Sequence, residues 1–363
     1  MWGYKKRLTR DLTRWREAGW LTSEAETRIV EELARSGREV GLASALGILA
    51  SVLLGFAVVS FVAAHWAEMP RGARLGLILS LIWIGYAAAG YLASRGAAKL
   101  ADAAILFSSA VFGSGIALIS QMYHIDGHPP DGVLLWGLGS FLAGAALRSN
   151  PALALSMVLF ALWTAMEMAA SGRVHWPFLA AWLAVSAAFA WQRWQPGVHL
   201  SGLAMTVFVI SLGFFINNGH AHEIVVAIGL LAAAMSITAM KSWPETDWVA
   251  APALGYAIVA AYAGLFALQF IEDISTNRLI LLAAITLLGL LGAIAYGLYS
   301  GHRGSLWLGY IGFSIEILSV YWKTVGTLLD TSLFFLVAGG IVAALAYMAY
   351  RLAQRGDVRR ELA

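Results

Sequence analysis

Leu279-Ile-Leu-Leu-Ala-Ala-Ile-Thr-Leu-Leu-Gly-Leu-Leu-Gly-Ala-Ile-Ala-Tyr-Gly-Leu-Tyr-Ser300 contains no charged side chain, and it stands between Arg278 and the pair His302-Arg303. A hydrocarbon core roughly 30 Å thick is crossed by about 20 apolar residues in a helix. Strands of a membrane barrel would instead show alternating segments about half as long. The stretch therefore reads as a transmembrane helix, and the question becomes how often the chain repeats it.

Working outward on the same criterion gives runs at about 42–64, 75–94, 103–121, 133–147, 151–170, 177–192, 199–216, 224–240, 249–270, 279–300, 305–321 and 331–350. The fourth, sixth and eighth are short for a full crossing, so a re-entrant hairpin among them would lower twelve spans to ten. The expected fold is all-α: an integral membrane bundle of about 12 helices, range 10–12. It is divided into a cytoplasmic amphipathic hairpin at 1–40, a multi-span domain at 41–352 and a basic tail at 353–363. Composition agrees, with 60% hydrophobic and 12% charged residues and a mean hydropathy of +0.73. Soluble domains carry about 25% charged residues.

Lys and Arg set the orientation, because short positive loops stay in the cytoplasm. Placing the N-terminal segment inside puts 19 of the 24 Lys and Arg residues on that side and leaves Arg71, Arg74, Arg173, Arg278 and Lys323 outside. That split favours an even number of spans, with both termini cytoplasmic. The net charge of +3 follows from the same asymmetry and implies no nucleic-acid partner; the lipid bilayer is the partner implied. The absence of cysteine excludes disulfide and thiol chemistry. The first apolar run lacks the form of a cleavable signal peptide, so the first span is expected to act as its own insertion signal.

Before the first span, residues 4–18 and 24–37 read as two amphipathic helices around Ala18-Gly19-Trp20-Leu21-Thr22-Ser23. Ser23 followed by Glu26 has the form of a capping box. A hairpin this small holds no core of its own. It is expected to dock on the membrane rim, a protein partner or a second copy through Leu8, Leu12, Trp15, Trp20 and Leu21. Trp66, Trp176, Trp191, Trp194, Trp243, Trp248 and Trp322 gather at run ends, as interfacial belts do. Small residues inside spans, Ser109 with Gly113, Gly289 with Gly292, and Gly339 with Gly340, read as close helix contacts.

Polar groups that could carry chemistry are few. Glu316 lies inside a span, where a carboxylate costs a few kcal/mol and marks an ion, proton or substrate path. Gly309, Gly312, Glu316, Ser319 and Lys323 recur at helical spacing as one stripe. Glu316 and Lys323 are about 10 Å apart along the axis, so linking them needs a bridging group. The loop Gln121-Met-Tyr123-His124-Ile-Asp126-Gly-His128-Pro-Pro-Asp131 offers His124, Asp126 and His128 as metal ligands, at no standard ligand spacing. A capped turn accounts for the same residues. His220, His222 and Glu223 would join that loop in one outer site only if spans three and four neighbour spans seven and eight. His65 could contribute from the first outer loop, and Glu167 is placed to snorkel at the interface. No phosphate-binding loop, His-Glu-x-x-His or Gly-x-Ser-x-Gly motif is present, which weighs against nucleotide-driven or ordinary hydrolytic chemistry, and no cofactor is implied.

Trp15-Arg-Glu-Ala-Gly19-Trp-Leu-Thr-Ser-Glu24, Ala63-Ala-His65-Trp66-Ala-Glu-Met-Pro70 and Ser120-Gln121-Met-Tyr123-His124, followed by Trp136, together resemble the bacterial family defined by domain of unknown function 2157. The likeness runs from residue 8 to about 165. Tyr321 and Asp330-Thr-Ser-Leu-Phe-Phe-Leu-Val-Ala-Gly-Gly340 are similar to a closing helix of that family. The resemblance implies a topology and no activity, and it marks Trp15, Gly19, Trp66, Gln121, Tyr123, His124 and Trp136 as shared features. The family usually has Asn at the position of His65.

Three functions use these features differently. A transporter or permease for a small molecule or ion would run its path past Glu316, Ser319 and Lys323, with Gln121 and Tyr123 at its mouth. A sensor, scaffold or envelope assembly factor would use the hairpin as its handle. An intramembrane enzyme would need His124, Asp126, His128 and His222 to converge. The first is the leading expectation and a non-enzymatic protein the general one, although no internal repeat between the two halves of the chain supports it.

Overall fold

The computed structural model describes residues 11–36 except 13 and 17, then 69–124, 127–216 and 219–324, with isolated positions within 49–64 and 336–343. Among these residues every regular element is helical. The helices are α1 (Ser23–Ser36), α2 (Arg71–Ser94), α3 (Ala98–Tyr123), α4 (Pro129–Ala146), α5 (Asn150–Ser171), α6 (Phe178–Trp191), α7 (Gln195–Phe215), α8 (Ala221–Ser242), α9 (Asp247–Phe270), α10 (Thr276–Ser300) and α11 (Arg303–Thr324). Each apolar run from 75 to 321 is one helix. Seven, namely α2, α3, α5, α7, α8, α9 with the 3₁₀ turn before it, and α10, are long and apolar enough to cross a membrane.

Helix ends follow local chemistry more closely than the runs did. The eighth run, short by hydropathy, is the full-length helix Ala221–Ser242, because His222, Glu223 and Lys241 extend it at both ends without breaking it. The sixth remains short, at 14 residues, or about 21 Å at 1.5 Å per residue. The cap of α1 is Thr22, not Ser23: its hydroxyl accepts the Ala25 amide at 3.3 Å. Glu26 turns away and pairs with Arg16 at 3.0 Å. Gly19, at φ 76°, reverses the chain between Trp15 and α1, a left-handed position that glycine occupies without the Cβ penalty.

On one face the turns between α2/α3, α4/α5, α6/α7 and α10/α11 are two or three residues long and each contains one left-handed residue: Gly96, Arg148, Arg193 and Gly301. In the first three, the amide three positions past the helix reaches back to a carbonyl five residues earlier, at 2.9 Å for Ala97 to Leu92, 2.9 Å for Ser149 to Gly144 and 3.1 Å for Trp194 to Phe189. This closure satisfies carbonyls that a helix end otherwise leaves bare. Arg148-Ser-Asn-Pro151 and Arg193-Trp-Gln-Pro196 are thus two copies of one turn. They lie side by side, with the Arg148 guanidinium over the Trp191 ring at 5.0 Å.

Successive helices form antiparallel hairpins, α2/α3, α4/α5, α8/α9 and α10/α11, and α7 joins the first group to the second by packing on α5, α6, α8 and α9. Leu153, Met157, Phe160 and Trp163 of α5 meet Val185, Ala188 and Phe189 of α6. A second core places Phe178 against Phe208, Val209 and Leu212 of α7, Val225 of α8 and Ala260 of α9. Where lipid supplies no hydrophobic drive between helices, close backbone approach does the holding. Trp136 lies across Gly113, where a Cβ would stand 2.1 Å from the indole, and its N–H donates to the Ser109 carbonyl at 2.8 Å. The expected Ser109–Gly113 contact is therefore one wall of a slot for Trp136. Gly289 and Gly292 do not act this way: a Cβ at either meets nothing within 4 Å. The close contacts of α10 with α11 fall instead at Gly297 on the Leu306 backbone, Gly309 on Ile294 and Gly312 on Leu290.

Gly229 and Gly289 form a matched test. A Cβ at Gly229 would lie 2.5 Å from the Ala261 backbone nitrogen, so Gly229→Ala should destabilise the protein by about 1–3 kcal/mol through overpacking. Gly289→Ala should be neutral or stabilising by up to ~1 kcal/mol, the helix-propensity difference. Thermal unfolding of the two purified variants in one detergent measures both, and equal shifts would refute the assignment of the interface.

Candidate functional site

α11 presents Ser305, Gly309, Gly312 and Glu316 to the protein, all buried, with Ser319 half-buried on the same face and Lys323 exposed at its end. Glu316 is 0% exposed, and among the described residues neither carboxyl oxygen has a hydrogen-bond partner. Facing it from α9 are Tyr262 and Gln269. Both are near enough to interact electrostatically, yet neither makes a well-aligned hydrogen bond to it, and among the described residues the Tyr262 hydroxyl and Gln269 Oε1 are themselves without partners.

The Gln269 amide explains why. Gln269, 0% exposed, donates through Nε2 to the Leu265 carbonyl at 3.1 Å and to the Thr286 hydroxyl of α10 at 3.0 Å. Thr286 gives its own proton to Leu282 at 2.9 Å, so it accepts from Gln269, which fixes the amide orientation. Both amide hydrogens are spent, and Gln269 has none to give the carboxyl. The Lys323 ammonium reaches over the Phe270 ring at 5.3 Å and donates to the Gln269 backbone carbonyl, near the negative end of the α9 dipole. Gln269 thus stands between Glu316 and Lys323 without linking them, its backbone carbonyl holding Lys323 and its side-chain amide committed to Leu265 and Thr286. The carboxyl is left with one donor within reach, the Tyr262 hydroxyl.

A cavity of about 320 Å³ lies against this cluster and is lined by Tyr262, by Ile315 next to Glu316, and by His222. His222 gives Nδ1 to Glu272 at 2.9 Å, while Glu223 pairs with His220 at 2.6 Å and Arg278 at 3.1 Å. The Glu272 and Arg278 pairs tie the start of α8 to the α9–α10 connection and to the first turn of α10. They do not join the α3–α4 loop, because α3 and α4 pack on α2 and α5.

At that separate rim, Gln121 is exposed and Tyr123 lies under Arg71, whose guanidinium is 5.6 Å from the ring centroid. The structure therefore does not bring Gln121 and Tyr123 to Glu316. His124 occupies a left-handed position, φ 49°, as the cap of α3, a backbone role. The trio His124, Asp126 and His128 is described only in part. Asp126 and Trp66 lie outside the described residues, and His128 groups with Asp131 at 3.6 Å and Glu167 at 3.3 Å. Ligand atoms of these three lie within 4.8 Å of one another, which ion pairing explains without a metal. Glu167 also acts on His175, whose Nδ1 is 3.3 Å from the Thr164 hydroxyl and whose ring meets Trp163 edge-on at 4.3 Å.

Sequence reasoning missed Tyr262, Gln269 and Thr286, and a signal existed. Tyr262 and Gln269 are two turns apart on one helix face, and Thr286 is the polar interruption of the long run 279–300. The His222–Glu272 pair joins residues 50 apart in sequence and left no local trace.

A bundle of apolar helices with a few sequestered polar groups and short connections defines a polytopic α-helical membrane protein. Residues 13–153 match the family described as "Predicted membrane protein (DUF2157)", the stretch whose motifs carried the resemblance. No curated protein and no solved structure matches the chain.

His175 gives a pH signature. Burial pushes its pKa below the ordinary 6.5, against a smaller opposing pull from Glu167. The unfolded chain therefore binds the proton more readily than the folded one, so stability falls as pH drops through about 6.5 towards the lower folded value. Unfolding temperatures of wild type and His175→Gln, compared from pH 8 to pH 5, should show a smaller acid loss in the variant. Parallel curves would contradict the burial assignment.

Proposed function

We propose that the chain is a transporter or permease of the bacterial cytoplasmic membrane, moving a small molecule or ion in a cycle that loads a univalent positive charge at Glu316. The observation that carries this reading is the carboxyl itself, fully buried, with no hydrogen-bond partner among the described residues and with both hydrogens of the nearest amide committed elsewhere. A buried ionised group left this way costs several kcal/mol, and a bound proton or small cation relieves that cost. Two charge states of one buried group, differing in their neighbours' hydrogen bonds, give an element that loading and unloading can switch. Ser319 and Lys323 extend the path towards the nearer rim.

The membrane arrangement belongs to the same proposal: about twelve spans with both termini cytoplasmic, supported by the 19-to-5 distribution of Lys and Arg and by one helix for each run from 75 to 321. The hairpin at 1–40 would dock on a protein partner or a second copy. Trp15 and Trp20, 37% and 77% exposed, support that role and favour a sensor or scaffold as the second reading.

Purified protein in liposomes, under an imposed membrane potential, should pass protons or Na⁺, read by an internal pH dye and by ²²Na⁺ uptake. Glu316→Gln should bring the flux to that of empty liposomes. Wild type indistinguishable from empty liposomes for both ions, or an unimpaired variant, would defeat the reading.

A further inference from the structure

Among the described residues three histidines pair with carboxylates, and they do so in two ways. His220 closes on Glu223 at 2.6 Å and His222 on Glu272 at 2.9 Å, the lengths of charge-assisted hydrogen bonds. His128 stands off: its Nδ1 is 3.6 Å from an Asp131 oxygen and 3.3 Å from a Glu167 oxygen. One nitrogen carries at most one hydrogen, so it cannot serve both carboxylates. Charge attraction accounts for the closeness of the three groups but not for this spacing.

The spacing is that of atoms set around a common point. One nitrogen and two oxygens lie within 4.8 Å of one another. Tetrahedral ligands held about 2.1 Å from a zinc ion are roughly 3.4 Å apart, which falls between the two His128 distances. The backbone holds the set ready. His128 is the N-cap of α4, and Pro129 and Pro130 occupy the first two helical positions, where their fixed φ leaves the chain between His128 and Asp131 little freedom. Asp131, three residues on, lies on the same side of the turn. Glu167 comes from the facing helix α5, with a side chain 21% exposed, against 45% for His128 and 72% for Asp131. The set is anchored through Glu167 and open to water through the other two, so an ion in solution can reach it.

We propose that His128 Nδ1, Asp131 and Glu167 bind a zinc ion, with water in the fourth position. Two carboxylates and a neutral imidazole bring two negative charges, which match a divalent cation and exceed what one protonated histidine neutralises. Imidazole among the ligands favours zinc over Mg²⁺ and Ca²⁺, which take oxygen. The ion staples the start of α4 to α5. This site does not depend on the transport reading: α4 packs on α3 and α5, whereas the helix of Glu316, α11, packs on α9 and α10.

The full chain, purified in detergent and stripped with EDTA, is titrated with zinc chloride by calorimetry. Wild type should take up zinc saturably, keep it against about a hundredfold excess of Mg²⁺, and unfold at a higher temperature with zinc than without. Glu167→Gln and Asp131→Asn, which keep side-chain volume, should each weaken this binding about 100-fold or more, since even outer-shell changes at zinc sites cost 10–100-fold, and should remove the thermal shift. X-ray absorption at the zinc edge of the wild-type complex, which needs no variant to fold, should show a single imidazole among oxygen ligands. No uptake by wild type, displacement of zinc by Mg²⁺, binding that survives both substitutions, or a zinc ion with no imidazole or several would overturn the proposal.

Discussion

Hydrocarbon offers no hydrogen-bond partner, so each polar group placed at membrane depth must find one inside the chain or be left without. Most of this structure is a set of answers to that constraint. Backbone groups are paired within helices, the bare carbonyls at the ends of α2, α4 and α6 are closed by reversed turns, and the Trp136 and Trp182 N–H groups donate to the Ser109 and Ser201 carbonyls, each at 2.8 Å. Serine and threonine hydroxyls mostly return to their own helix, as Ser156, Ser236 and Thr286 do. Against that background the unsatisfied groups stand out, and several gather in one place: both oxygens of Glu316, the Tyr262 hydroxyl, Gln269 Oε1 and His222 Nε2.

That concentration has a packing cause. α9 is the helix that touches α7, α8, α10 and α11, so its side chains are drawn into contacts on several sides. Gly264 lets it approach α8 closely, where a Cβ would come within 3.0 Å of the Val226 backbone nitrogen. Gln269 is pulled to Thr286 on one side and holds Lys323 through its carbonyl on the other, which leaves it no hydrogen to donate to Glu316. An unpaired buried polar group costs about 1–3 kcal/mol, and a site with several is stable only because the surrounding helices hold it. Such sites are where ligands, ions or protons change the free energy most.

Much of the fold was legible in the sequence. Lipid exposure enforces long apolar runs, so the ten helices from 71 to 324 follow from hydropathy, and the buried face of α11 follows from the spacing of Gly309, Gly312 and Glu316. Less was legible wherever a decision depends on a partner helix. Nothing local distinguishes Gly289, which faces open space, from Gly297, which lies on the Leu306 backbone. The pairing of His128 with Glu167, and of His222 with Glu272, depends on which helix ends meet. The outer trio expected from sequence was drawn from neighbours in the chain, whereas folding sets His128 beside Asp131 and the distant Glu167.

The central claim is that Glu316 is a loading site and not a sealed structural carboxyl. Carbodiimide attacks only a protonated carboxyl group and reaches it through the membrane, so the extent of Glu316 modification, read by peptide mass spectrometry across pH and Na⁺ concentration, reports loading directly. Modification confined to Glu316 among the membrane-embedded residues, and suppressed either by raising pH or by adding Na⁺, is the result the account predicts. A Glu316 that stays unmodified under every condition, or whose modification ignores both pH and Na⁺, would contradict it.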